Sequence, residues 1–143
     1  MRLGFSIFEL VVVIGLIAAI AGFSVVFTTT AIRGQEFDRV RAIIHSELAA
    51  ARSDTISGTN DSAWGVAFSP NAATRFQGAT FATRNAAMDR TTSFGNAVTI
   101  SGATEIDFVR PHGIPVTSST VRISDGFRFS FITVTAAGAI DIR

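Results

Sequence analysis

From Leu10 to Phe27 the chain reads LVVVIGLIAAIAGFSVVF without a charged residue, and Phe5 to Phe8 extend that run past one carboxylate, Glu9. A helix that crosses a bilayer needs about 20 mainly apolar residues, and Phe5 to Phe27 meets that length. A run this long and apolar on every face fits poorly with a buried helix of a soluble protein. It could be a secretory signal peptide, with Arg2 as its charged region and Ala19-Ile20-Ala21 before Gly22 as a cleavage site. It could also be an uncleaved anchor with Arg2 on the cytoplasmic side. The run exceeds the roughly 7 to 15 apolar residues of signal peptides, and neither reading accounts for Glu9.

An ionised side chain in such a helix costs at least a few kcal/mol, about 2.5 or more, so Glu9 calls for a partner. Cleavage after Gly4 would create an α-amino group on Phe5, one helical turn before Glu9. In a bundle of parallel copies displaced along their axes, the amino group of one copy would neutralise Glu9 of the next. Such a pair fixes register more than it adds stability, because desolvation opposes most of the Coulomb attraction.

The stretch Gly4-Phe5-Ser6-Ile7-Phe8-Glu9-Leu10-Val11-Val12-Val13-Ile14 resembles the class III signal of type IV pilins and type II secretion pseudopilins. In that family a Gly precedes the cut, Phe begins the mature chain and Glu follows four residues later. The resemblance implies that prepilin peptidase cleaves between Gly4 and Phe5 and methylates the Phe5 amine. It also implies a structural subunit, with Glu9 acting in assembly. The leader Met1-Arg2-Leu3-Gly4 is short for the family, and the apolar segment has no proline, only Gly15 and Gly22. Gly15, Ala18, Ala19 and Gly22 would let helices approach closely, although glycine is common in bilayer helices anyway.

With 143 residues there is room for one domain, and the part outside the apolar run is small. All 12 basic residues are arginine against 11 acidic ones, and a net charge of +1 argues against a globally basic nucleic-acid binder. The chain has no cysteine, which removes disulfides and thiolate metal sites.

Phe37, Val40, Ile44, Leu48 and Ala51 recur at spacings of three and four, so residues 28–57 are expected to form an amphipathic helix continuing the first. Glu36, Asp38, Arg39, Arg41, Glu47 and Arg52 would lie on its solvated face. Ser57-Gly58-Thr59-Asn60-Asp61 ends it, since these residues favour turns. Beyond lie runs that read as strands: Ala63 to Phe68, Arg75 to Ala82, Ala97 to Ser101, Glu105 to Arg110, Thr120 to Ser124, Phe127 to Thr135 and Ala139 to Ile142. In Phe127-Arg128-Phe129-Ser130-Phe131 the phenylalanines would share one sheet face. Asp125-Gly126 reads as a hairpin turn and Thr83 to Asn96 as a long exposed loop.

The expected fold is α+β: a leader (1–4), a transmembrane and polymerisation helix (5–27), an amphipathic second half (28–57) and a β-rich globular domain (58–143). A long helix packed against a C-terminal antiparallel sheet is the pilin architecture. Ala49-Ala50-Ala51-Arg52-Ser53 near the helix end, the strand and turn Glu105 to Gly113, Val121 to Ser124, and Ile132 to Ile140 with Gly138 between two β-runs are similar to GspH/FimT-type minor pilins and pseudopilins. That likeness implies a minor subunit of a type IV pilus or secretion pseudopilus. Its partners would be prepilin peptidase, other subunits and an inner-membrane assembly platform. The chain would cross the bacterial inner membrane once, with the globular domain periplasmic, and then enter a periplasmic or extracellular filament.

Enzymatic chemistry is disfavoured. His45 and His112 are the only histidines and neither has a catalytic set beside it in the sequence. There is no phosphate loop and no paired-histidine metal spacing, and Asp125 and Asp141 are too isolated for calcium, so no cofactor or metal is expected. Arg110, Arg122, Arg128 and Arg143 give the last third a basic bias. Most such arginines are solvated strand positions. The alternative, by resemblance to FimT-like minor pilins that receive DNA, is nucleic-acid binding by these four if they lie together.

Overall fold

A computed structural model describes residues 6–143, without the side chains of residues 23–33. The fold is α+β with antiparallel sheets, and the chain divides between Gln35 and Glu36 into two units.

The first unit holds the start of helix α1 (Ile7–Ser57). Ser6 caps it: its Oγ accepts from the Phe8 amide at 3.3 Å, and its carbonyl accepts from Leu10 at 3.1 Å. From Ile7 to Ile20 every large apolar side chain is exposed, Ile7 by 83% and Phe8 by 78%. Among the described residues, no helical stretch is long and apolar enough to cross a membrane. Phe5 and the side chains of residues 23–27, which complete the predicted span, lie outside the described residues.

In the second unit α1 buries the face that its periodicity predicts. Phe37, Val40, Ile44, Leu48 and Ala51 are at most 4% exposed and join the core. Fully burying each of the larger ones is worth about 1.5–3 kcal/mol. Gly58 closes the helix with a left-handed φ of +66°, where a side chain would be strained. The buried Thr55 hydroxyl donates to Ala51 O at 2.8 Å and accepts from the Trp64 amide at 3.0 Å. Nine residues of chain therefore turn from helix into strand without orphaning these groups.

Nine strands follow: β1 (Trp64–Ser69), β2 (Ala72–Gln77), β3 (Asn85–Ser93), β4 (Thr99–Gly102), β5 (Glu105–Val109), β6 (Ile114–Pro115), β7 (Ser119–Ser124), β8 (Phe129–Val134) and β9 (Ile140–Ile142). They form two sheets rather than the expected one, in the orders β3-β2-β1-β5-β6 and β4-β7-β8-β9. Val66, Phe76, Ile106 and Phe108 from the first sheet and Val121, Ile123, Ile132 and Val134 from the second are at most 2% exposed. Except for Phe76, these residues share one core cluster with the α1 residues.

Two expectations need correction. The predicted loop from Thr83 to Asn96 contains β3, which pairs with β2 from Ala72↔Ser93 to Gln77↔Asn85 with a register shift. Apart from Ala86-Ala87-Met88 its side chains are polar, most are exposed and Met88 is the one that packs against the core, so it shows no apolar alternation. The predicted strand from Arg75 to Ala82 ends at Gln77, and Phe81–Thr83 forms a 3-10 turn instead.

One buried charge ties β2 to the helix. Arg75 Nη1 donates to Asp54 Oδ2 at 2.9 Å, while its Nε lies 3.3 Å from Glu47 Oε2 without hydrogen-bond geometry. Asp54 is therefore the stronger partner.

Candidate functional site

The predicted cleavage residues Gly4 and Phe5 lie outside the described residues. Glu9 occupies the third position of α1, exposed, with no ion-pair partner among the described residues. Ser6-Ile7-Phe8-Glu9 also has the spacing of a capping box, in which Ser6 satisfies one amide and Glu9 faces the positive end of the helix. Glu9 therefore has a local electrostatic reason to be there besides any assembly role. The Ser-x-x-Glu spacing was the signal for it.

The four arginines singled out from the sequence do not form one cluster. Arg110 Nη1 pairs with Asp61 at 2.6 Å, on the side of the helix-ending turn. Arg128 sits at the β7–β8 turn, bound to Asp125 at 3.1 Å, with its guanidinium 4.6 Å from the Phe37 ring centre. Arg122 and Arg143 do come together. Ser101 pairs with Arg122, Arg122 pairs with Phe131, and Phe131 exchanges both backbone hydrogen bonds with Arg143, at 2.7 and 2.9 Å. Directly paired residues put their side chains on one face, so Phe131 stands between two guanidinium-bearing side chains.

That face points away from the core. Phe129 and Phe131 are 61% and 37% exposed, and Phe127, in the turn before β8, is 84% exposed. The alternate residues Ser130, Ile132 and Val134 turn inward and are buried. Ser130 is tolerated there because its hydroxyl donates to Arg143 O at 2.8 Å. Phe129 and Phe131 share one sheet face, the solvent face, while Phe127, expected on the same face, lies in the turn outside the strand.

A second cluster joins three of the four stretches that carry the looser family likeness. Arg52 Nε donates to Gly113 O at 3.0 Å. A Cβ built on Gly138 would lie 2.8 Å from that oxygen and 3.0 Å from Arg52 Nε. Gly113 and Gly138 have φ of +62° and +81°, a region that suits glycine.

Two carboxylates have displaced pKa values. Asp107 on β5 faces Gly65 on β1, where a Cβ would come within 2.6 Å of its Oδ1. That oxygen is buried with no hydrogen-bond partner. Burial, and then the charge of Glu105, raise the Asp107 pKa to about 6. Asp125 is lowered, first by the Arg128 amide at 2.6 Å, against a smaller opposing effect of burial, with the Phe127 amide at 2.9 Å and the Arg128 side chain adding to the lowering.

An open cleft lined by Phe68, Ser69, Thr74, Phe81 and Thr104 holds one carboxylate, Glu105, already engaged by the Phe81 amide at 3.0 Å. Among the described residues, no three His, Asp or Glu side chains gather as metal ligands. His45 is half-buried on α1, and His112 is exposed in the turn before β6. Compared with protein-family models, curated proteins and solved structures, the chain matches none.

Proposed function

We propose that the chain is a minor pilin or pseudopilin, a structural subunit of a type IV pilus or type II secretion pseudopilus that is cut between Gly4 and Phe5, methylated on the Phe5 amine and polymerised. One observation carries this reading. Glu9 lies one turn beyond the Gly4-Phe5 junction, on a helix whose large apolar residues are exposed from Ile7 to Ile20. Water does not tolerate that surface cheaply, at about 25 cal/mol per Å² of apolar area. Lipid covers it before assembly, and the equivalent helices of neighbouring copies cover it afterwards.

The burial of Phe37 to Ala51 against antiparallel sheets supports a pilin-like architecture, with a long helix whose second half is part of the globular domain. The meeting of Arg52, Gly113 and Gly138 supports a GspH/FimT-like subunit, since these three elements of that likeness are far apart in sequence. On this reading the chain crosses the bacterial inner membrane once with its globular domain in the periplasm. It is processed by prepilin peptidase, docks on the inner-membrane assembly platform and enters a filament with other subunits. It is a structural protein and not an enzyme.

N-terminal sequencing of the mature protein tests the proposal. A methylated Phe5 is the expected first residue, and Gly4→Leu should leave the precursor uncut. A mature chain starting at Gly22 or Met1 would sink it.

A second reading, DNA binding by the same subunit, is favoured by the placement of Arg122 and Arg143 on either side of Phe131. Arg110 and Arg128, each engaged by a carboxylate, contribute less to it.

A further inference from the structure

We propose that the outer face of the β4-β7-β8-β9 sheet is a stacking platform for single-stranded nucleic acid. Phe129 and Phe131 offer ring faces to bases, and Arg122 and Arg143 hold the phosphates. The proposal rests on the DNA-binding reading and narrows its ligand to an unpaired strand.

The ring arrangement comes first. Phe129 and Phe131 are two residues apart on β8, about 6.8 Å along the strand, and both leave the core for solvent. Their rings meet edge to face, with centroids 5.6 Å apart and planes at 62°, so they do not cover each other by stacking. The residues directly across the ladder decide what surrounds an exposed ring. Here the neighbours are polar or cationic: Ser124 beside Phe129, and Arg122 and Arg143 beside Phe131. The next strand continues the pattern with Thr99 and Ser101.

Charge chooses among occupants. The Arg122 guanidinium lies 5.4 Å from the Phe129 ring centre, in cation–π range, which holds it beside the ring where it can meet a phosphate. The carboxylate on this face, Asp141 on β9, pairs with Thr133, one row beyond the Phe131 pair. An apolar protein partner would have to bury two guanidinium groups here with one carboxylate, Asp141, to offset them, which is costly. A single strand supplies a phosphate for each guanidinium and an aromatic face for each ring, and it needs no groove on the protein. A duplex would present phosphates alone and leave the phenylalanines unused.

The test uses the full-length chain in detergent, titrated at low salt into a labelled oligothymidylate of about 15 nucleotides and into a duplex of the same length. The single strand is expected to bind at least tenfold more tightly. Phe129→Leu and Phe131→Leu keep apolar bulk at exposed positions and remove the ring, and each is expected to weaken single-strand binding roughly tenfold. Arg122→Gln and Arg143→Gln should each flatten the logarithmic salt dependence by about 0.7. Equal binding of strand and duplex, with the leucine variants unchanged, would overturn the stacking platform and leave the DNA reading standing. No binding of either nucleic acid would overturn both. Loss of filament incorporation in the leucine variants without oligonucleotide binding would make the face a protein interface and also overturn the proposal.

Discussion

The Nε of Arg52 donates to the carbonyl oxygen of Gly113 across 61 residues of sequence, and Gly138 packs against the same two atoms. The helix end, the β5–β6 turn and the β8–β9 turn are thereby fastened at one point. No side chain fits at Gly138, because a Cβ would stand 2.8 Å from a backbone oxygen that has little room to move. Gly138→Ala is expected to cost about 2 kcal/mol or more, from the positive φ and the contact together. In a thermal melt that is a drop on the order of 10 °C. Arg52→Met, which removes the hydrogen bond and keeps the stem, should cost about 1 kcal/mol. An unchanged melt for Gly138→Ala would show that the turn relaxes and the fastening is incidental.

Asp107 and Asp125 pull the pH dependence of stability in opposite directions. Asp107 has a folded pKa of about 6, above its unfolded value near 3.8, so the folded state holds the proton more tightly. Its environment carries no penalty below the unfolded value, and stability falls as pH rises from about 4 to about 6. Asp125 is lowered, so its contribution is present above the unfolded value and is lost as pH falls below about 3.8. Urea melts across pH 3 to 7 (approximate limits) should show the Asp107 slope in the wild type and not in Asp107→Asn. A slope that survives in that variant would assign it to other groups.

Glu9 has two candidate roles, and one substitution separates them. As the third residue of a capping box it needs a side-chain acceptor, which glutamine supplies. As the partner of a neighbouring subunit's amino group it needs a negative charge, which glutamine lacks. Glu9→Gln is expected to be processed normally yet to enter filaments as poorly as Glu9→Ala, measured by sheared-filament yield. Wild-type incorporation of Glu9→Gln would reduce Glu9 to a helix cap.

The helical half of the globular unit was legible because its burial is periodic. Phe37, Val40, Ile44, Leu48 and Ala51 are all buried, and the glycine at 58 that ends the helix has the left-handed φ that a helix stop uses. Strands β5, β7 and β8 were legible through their alternation, to within about two residues at each end. β3 was not, since Asn85 to Ser93 sends one large apolar side chain, Met88, against the core and is otherwise held by backbone pairing to one neighbour at a sheet edge. Ile114–Pro115 is too short to carry a pattern. Which arginines meet is a matter of register. Arg122 and Arg143 are 21 positions apart and share Phe131 only because β8 lies between β7 and the C-terminal strand. The Ser6 cap is written in four adjacent residues, Ser6-Ile7-Phe8-Glu9, that the cleavage motif occupies as well.

The core face of α1 is shared by both sheets, and this sets the order of events at the ribosome. The residues from Phe37 to Ala51 emerge before any strand exists, yet Ile132 and Val134, which complete their cover, lie more than 80 positions downstream. At about 5–20 residues per second, that helix face stays wet for some seconds of synthesis. Contacts so distant in sequence also close slowly once the chain is complete. The nascent subunit therefore has an interval of greatest vulnerability to wrong association, and it ends when β8 is delivered.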